Sequence, residues 1–295
     1  MTLLIQRLLD GLSGGAVYAA LALAIVLVFR STGTLNLAQG EMAMFTCFLA
    51  WKLSTGLGWP VVPAIVVAMA AGFAGGALIE RVVVRPVEDR PDHLPIIIVT
   101  LGLMLAINAL AGGLFTVDIV RLPDVFPAGA LQLGGVHLAY STIGLLAVLL
   151  VVSALIWALF QRTRIGLHMR ASVDSPESAR LVGIRRSHML MLGWGIAGAL
   201  GALAAVLVAP QTFVHTGMLQ GVLLYAFAAA TLGGFTSVLG AVVGGLIVGV
   251  LQSLAVGYID FIGNDLSLLV ALAIIIAVLM VKPNGLFGRA DSSRL

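Results

Sequence analysis

The sequence predicts an all-α polytopic transmembrane bundle of about eight or nine membrane segments, one of them broken or re-entrant near 222–257. Three observations carry this. Apolar residues make up 60% of the 295 residues and charged residues 10%, where a soluble domain has roughly 25% charged. The apolar residues gather in runs near the roughly 20 residues that cross a bilayer as helix. All 16 basic residues except Arg7, Lys52 and Arg121 fall on one side when the runs alternate across the membrane, which marks that side as cytoplasmic. The N-terminus is then outside and the C-terminus inside. Little chain is left over, so residues 1–295 are expected to form a single transmembrane domain with a cytoplasmic loop at 161–188.

The runs lie at 9–29, 36–53, 60–80, 95–116, 139–160, 189–209, 222–257 and 265–282. A cleaved signal peptide accounts less well for the first, because Arg7 is followed by the acidic Asp10. The run at 222–257 is too long for one crossing and is interrupted by GGFTSVLG. That break reads either as a re-entrant turn, tolerated at depth only where protein or a water-filled path satisfies its backbone, or as the surface joint of two short helices. Glycine sits inside the runs, and Gly72/Gly76, Gly240/Gly244 and Gly245/Gly249 have the small-xxx-small spacing that lets helix backbones approach closely.

The second run opens on LNLAQGEMAM, which places Asn36, Gln39 and Glu41 in an apolar setting. An ionisable group inside a span is costly and is a functional candidate by default; its alternative is a place at headgroup level. Asn108 and Thr231 are neutral candidates for the same path, with interhelical hydrogen bonding as their other role. One intramembrane carboxylate gives weak support for coupling to an ion gradient, and an apolar, neutral path suits a neutral or zwitterionic solute. The loop QRTRIGLHMRASVDSPESARLVGIRRSH holds the other feature. Asp174 and Glu177 have capping-box spacing, Ser175-Pro176 offers an alternative start, and Gly183 is a natural stop. This predicts a helix of about two turns with an apolar Ala179/Leu181/Val182/Ile184 side. So short a helix is unstable alone and needs a surface, either a partner protein or the lipid headgroups. The segment 116–137, rich in proline and glycine, is a docking surface or a connector.

Several classes are excluded. Lys52 precedes Leu53 and Lys282 precedes Pro283, so no lysine is followed by the Ser or Thr of a phosphate-cradling P-loop. The single Cys47 allows no intrachain disulfide. The five histidines lack metal-ligand spacing, no acid/base constellation points to an enzyme, no cofactor is called for, and the arginines are loop-borne rather than a nucleic-acid face.

The stretches GLSGGAVYAALALAIVLVFRSTGTLNLAQGEMAMF, MRASVDSPESARLVGI, TLGGFTSVLGAVVGGLIVG and KPNGLFG occur in this order along the chain. Together they resemble the LivH-type permease subunits of branched-chain amino-acid ABC importers. The chain departs from the family pattern at Gln39, where many relatives carry histidine, and at Leu37, where they carry an aromatic. The resemblance implies a bacterial cytoplasmic-membrane importer whose partners are two ATP-binding cassette subunits, a second permease (LivM-like or a copy of this chain) and an extracytoplasmic solute-binding protein. It implies that 161–188 is the ATPase-coupling loop, with Arg170, Asp174, Glu177, Ala179, Leu181 and Gly183 as its candidate residues. Related permeases move urea, amides or sugars; an ion-coupled carrier gated by Glu41 is the reading from another class.

Overall fold

The computed structural model describes residues 2–88, 94–133, 136–259, 261–263 and 266–288. Arg90, His93, Asp260, Asp265, Arg289, Arg294 and the side chains of Asp174 and Pro176 lie outside the described residues.

Helix α1 (Thr2–Thr32) runs unbroken for 31 residues. It stops where Gly33 takes φ +74°, a conformation easy only for glycine, and donates to the Phe29 carbonyl at 2.7 Å. Then follow α2 (Gln39–Trp51), α3 (Val61–Ile79), α4 (Arg85–Glu88) and α5 (Leu94–Leu114). A π-type stretch, Glu80–Val84, joins α3 to α4. After a two-stranded hairpin, β1 (Ala130–Leu133) and β2 (Val136–Ala139), come α6 (Tyr140–Arg162), α7 (Arg164–Asp174), α8 (Pro176–Leu181) and α9 (Arg186–Thr212). The chain closes with α10 (Gln220–Gly233), α11 (Val238–Tyr258) and α12 (Ser267–Val281). Six helices are long and apolar enough to cross a membrane, and α10 and α12 are shorter apolar helices; α2 makes the ninth apolar segment among the described residues. The expected all-α bundle is what forms. The hairpin, which begins inside the segment 116–137 read as a connector or docking surface and runs two residues past it, was not foreseen.

The chain divides into two compact units. The first comprises Met1–Val26, Phe126–Ala154 and Gly221–Leu295. Here α11 lies against α1: a methyl group on Gly249 would overlap the Gly15 backbone, and one on Gly245 the Ala19 backbone. Gly233 and Gly240 bring α10 and α11 equally close. The break between these helices is a four-residue turn in which Gly234 has φ +95° and Ser237 Oγ caps Gly240 N–H at 3.0 Å. The C-terminal KPNGLFG segment completes it. Leu286 and Phe287 N–H donate to the Leu232 and Gly233 carbonyls at 2.7 and 3.1 Å, filling acceptors that a helix end otherwise leaves open. Tyr18 and Tyr225 stack at 4.6 Å within this unit.

The second unit comprises Leu27–Val125 and Leu155–Gln220. Its centre is α3 against α9, where methyl groups on Gly72 and Gly76 would overlap the Gly198 and Trp194 carbonyls. Along this seam Trp194, Ala197, Ala202 and Ala68 are buried. The small-residue spacings in the sequence are packing seams in both units.

Candidate functional site

Between α1 and α2 the backbone lacks helical partners, and side chains supply them. Asn36 Oδ1 accepts from the Ala38 N–H at 3.0 Å, an Asx turn. Its Nδ2 donates to Gln39 Oε1 at 3.3 Å, and Gln39 Nε2 donates to the Ala197 carbonyl of α9 at 3.0 Å. Gly201 leaves the space that Gln39 occupies. Both side chains are sealed (1% and 0% exposed), so they anchor the start of α2.

Glu41, in the first turn of the same helix, is arranged differently. Asn108 of α5 donates through its one amide nitrogen to Glu41 Oε2 at 3.0 Å and to the Thr216 carbonyl at 2.9 Å. Two acceptors on one nitrogen fix the amide's orientation. Glu41 is itself buried (7% exposed), and its Oε1 accepts no hydrogen bond among the described residues. One turn further along α2, Phe45 meets Phe115 edge to face at 5.3 Å, and Phe115 stacks on Phe48 at 5.4 Å. Phe48 is fully buried, while Phe45 and Phe115 are half-buried. A buried carboxyl oxygen with no hydrogen-bond donor among the described residues thus stands one helical turn from an aromatic wall.

The Thr216 carbonyl is delivered by an unusual loop. Phe213 ends α9 at φ 59°, ψ 166°, a region essentially reserved for glycine. Val214 then pairs with Val120 through two backbone hydrogen bonds of 2.8 and 2.9 Å, and His215 Nδ1 accepts from the Gly217 N–H at 3.1 Å. Sequence reasoning missed Thr216 because its contribution is a carbonyl, which any residue carries. Phe45 and Phe115 were missed as ordinary members of apolar runs; the spacing of Phe45 four residues from Glu41 is the signal that could have found them. Thr231 does not join this group: it lies on α10 in the first unit, and its hydroxyl donates to the Phe227 carbonyl of its own helix at 2.8 Å.

The 161–188 segment holds two helices where the sequence predicts one. Thr163 Oγ1 caps α7 by accepting from the Gly166 N–H at 3.1 Å. Gly166, Met169 and Ser172 form its buried face, and a side chain on Gly166 would overlap Phe160. Arg170 lies on this helix, its Nε donating to the Gly166 carbonyl at 3.3 Å. The start of α8 is the Ser175-Pro176 alternative, with proline in the first turn and Glu177 beside it. Asp174 closes α7, so its capping-box pairing with Glu177 is not the start used. At the other end the Ile184 N–H donates to the Ala179 carbonyl (2.9 Å) and the Gly183 N–H to the Arg180 carbonyl (3.0 Å), with Gly183 at φ +82°. This is a complete Schellman stop. The expected apolar side divides: Ala179 is buried (3% exposed), whereas Leu181 and Val182 project outward (89% and 75%).

Residues 7–279 match the family model described as the branched-chain amino acid transport system permease component. The chain belongs to this family. It is similar to the high-affinity branched-chain amino acid transport system permease protein BraD of Pseudomonas aeruginosa, 30% identical, with 99% of this chain and 98% of the relative covered. The LivH permease proteins of Salmonella typhimurium and Escherichia coli strain K12 are each 28% identical, over 99% of this chain and 97% of theirs. Membership makes the chain a multi-pass membrane protein whose relatives are transport permeases rather than enzymes. The buried Glu41 carboxyl, the aromatic wall and the exposed Leu181–Val182 tip therefore belong to a permease.

Proposed function

We propose that this chain is the permease subunit of an ATP-driven importer of branched-chain or similar hydrophobic amino acids in the bacterial cytoplasmic membrane. It pairs with a second permease, receives solute from an extracytoplasmic binding protein, and is driven by a pair of ATP-binding cassette subunits. The substrate in the relatives' names supports this reading, and one observation carries it to the residues. Glu41 Oε1 is a carboxyl oxygen without a hydrogen-bond donor among the described residues, one turn from the Phe45–Phe115 pair. An ammonium group on the carboxylate and a branched aliphatic side chain against the rings is the amphipathic match a zwitterionic hydrophobic amino acid offers. Asn36, Gln39 and Asn108 hold that wall of the path in shape, and Thr231 on α10 stays a separate candidate.

The 161–188 segment faces the cytoplasm in this reading, with the N-terminus outside and the C-terminus inside. Leu181 and Val182 enter the ATPase groove; Arg170 and Glu177 flank the tip; Gly183 ends the helix that bears it. ATP-driven closure displaces α8, and the Schellman stop passes the movement towards α9, because Gly183 and Ile184, which lead into α9, are hydrogen-bonded to the Arg180 and Ala179 carbonyls of α8. The test is reconstitution of the permease pair, ATPases and binding protein in vesicles. Labelled leucine is expected to accumulate only with ATP, above urea or a simple amide. Uptake indifferent to ATP, or equal for urea, overturns the reading.

A further inference from the structure

Within the second unit a cleft of about 570 Å³ opens between the end of the α3–α4 segment and the turn from α8 into α9. Arg85, Arg180, Arg185 and Arg186 line it with Ser187 and Leu190, and among the described residues no acidic one does. The turn is responsible for the convergence: Gly183 at φ +82° reverses the chain, so that Arg180 before it and Arg185 after it face one space. Among the described residues, the guanidinium groups of Arg85, Arg180 and Arg185 enter no ion pair or hydrogen bond with a side chain. The first turn of the 27-residue α9 begins at the same place and adds the positive end of its dipole.

Arg85, Arg180 and Arg185 are exposed, so water screens part of their mutual repulsion, and an anion in the space between them would relieve the rest. They are arginines in a chain with only two lysines, Lys52 and Lys282, and the planar guanidinium fork matches a phosphate's oxygens better than an ammonium does. The source of the phosphate follows from the cleft's depth. Leu78 and Val82, seven and three residues before Arg85 on a segment long enough to span the membrane, are 62% and 61% exposed. Leu190, on the other wall, is the first buried apolar residue of α9. The cleft thus lies where apolar surface gives way to charge, at the level of lipid headgroups, with an open apolar track leading up to it.

We propose that this cleft binds the phosphate of an anionic phospholipid headgroup, held by Arg85, Arg180 and Arg185, with an acyl chain lying along Leu78 and Val82. The bound headgroup ties α8 to the end of the α3–α4 segment. The proposal rests on the chain being a membrane protein and not on its substrate or its ATPase partner, so it stands or falls separately.

The test is native mass spectrometry of the full chain in detergent after titration with phosphatidylglycerol, phosphatidylcholine or inorganic phosphate. Wild-type protein is expected to retain phosphatidylglycerol at least tenfold better than phosphatidylcholine. Arg85→Gln with Arg180→Gln should remove that preference, Arg85→Lys with Arg180→Lys should keep part of it, and Arg121→Gln, on an exposed loop, should leave it unchanged. Equal retention of the two lipids, an unchanged preference in the double glutamine variant, or full displacement of phosphatidylglycerol by millimolar phosphate overturns the proposal. So does loss of ATPase capture in the double variant with lipid retention intact, which would assign the arginines to protein carboxylates. If the double variant aggregates, Arg185→Gln alone decides: a several-fold fall in the preference supports the site and no fall refutes it.

Discussion

Asn108 and Glu41 are 67 residues apart in sequence and 3.0 Å apart in space. The amide spends its nitrogen on one carboxylate oxygen and on the Thr216 carbonyl, leaving the second carboxylate oxygen without a donor among the described residues. In Glu41→Gln the side-chain carbonyl can still accept from Asn108, so geometry is kept and only the charge goes. A hydrogen bond to a charged group is worth roughly 1.5–3 kcal/mol, and ATP-dependent leucine uptake should fall about ten- to a hundredfold with normal yield of folded chain. Unchanged uptake would give the carboxylate a structural role. Asn108→Ala should lower both uptake and thermal stability, because it frees two acceptors at once.

How much of this was legible in the sequence depends on what carried the information. Segment positions were readable because burial in lipid imposes length and hydropathy: the expected 139–160 and 265–282 appear as Tyr140–Arg162 and Ser267–Val281. The break at Gly233–Gly240 was readable because glycine and serine mark a turn, and the turn is there. Glu41 stood out because a carboxylate in an apolar run is costly. The Thr216 carbonyl, the Phe45–Phe115 pair and α7 left no comparable mark. A backbone oxygen has no side-chain code, aromatics are common in apolar runs, and α7 is held by the small buried face of Gly166, Met169 and Ser172 rather than by a long apolar stripe.

The glycine seams make opposite predictions for two neighbouring residues. A side chain at Gly76 would overlap the Trp194 carbonyl, while at Gly75 nothing stands within reach. Backbone cannot yield as a flexible side chain can, so Gly76→Val should cost at least about 2–3 kcal/mol and give little monodisperse protein. Gly75→Ala should stabilise α3 by about 0.5–1 kcal/mol, since glycine costs a helix that much. Scanning fluorimetry of the detergent-solubilised variants reads both; a harmless Gly76→Val would dissolve the α3–α9 seam.

On α8, exposure separates folding from docking. Leu181 and Val182 are exposed and Ala179 is buried. Leu181→Asp combined with Val182→Asp should therefore leave melting within about 0.5 kcal/mol of wild type, as surface changes do, yet reduce co-purification of the ATPase subunits at least tenfold. Ala179→Asp buries an unpaired carboxylate and should lower stability by several kcal/mol. Capture of the ATPases undiminished by the Leu181/Val182 change would place the coupling surface elsewhere.

Phe213 is the non-glycine residue at positive φ among the described residues, and its ψ of 166° puts it where a Cβ is strained. Such a residue costs on the order of 1–3 kcal/mol, and what holds it is plain: Val214 is pinned to Val120, and two residues later Thr216 receives Asn108. Its ring is 45% exposed, so burial repays only part of the strain. Two substitutions divide these contributions. Phe213→Ala loses the ring and keeps the strained Cβ, whereas Phe213→Gly loses both. The glycine variant should therefore melt higher than the alanine variant by the equivalent of about 1–3 kcal/mol, and its loop should still deliver the Thr216 carbonyl. If the two variants melt together, the backbone there is relaxed, and the position of Thr216 owes nothing to stored strain.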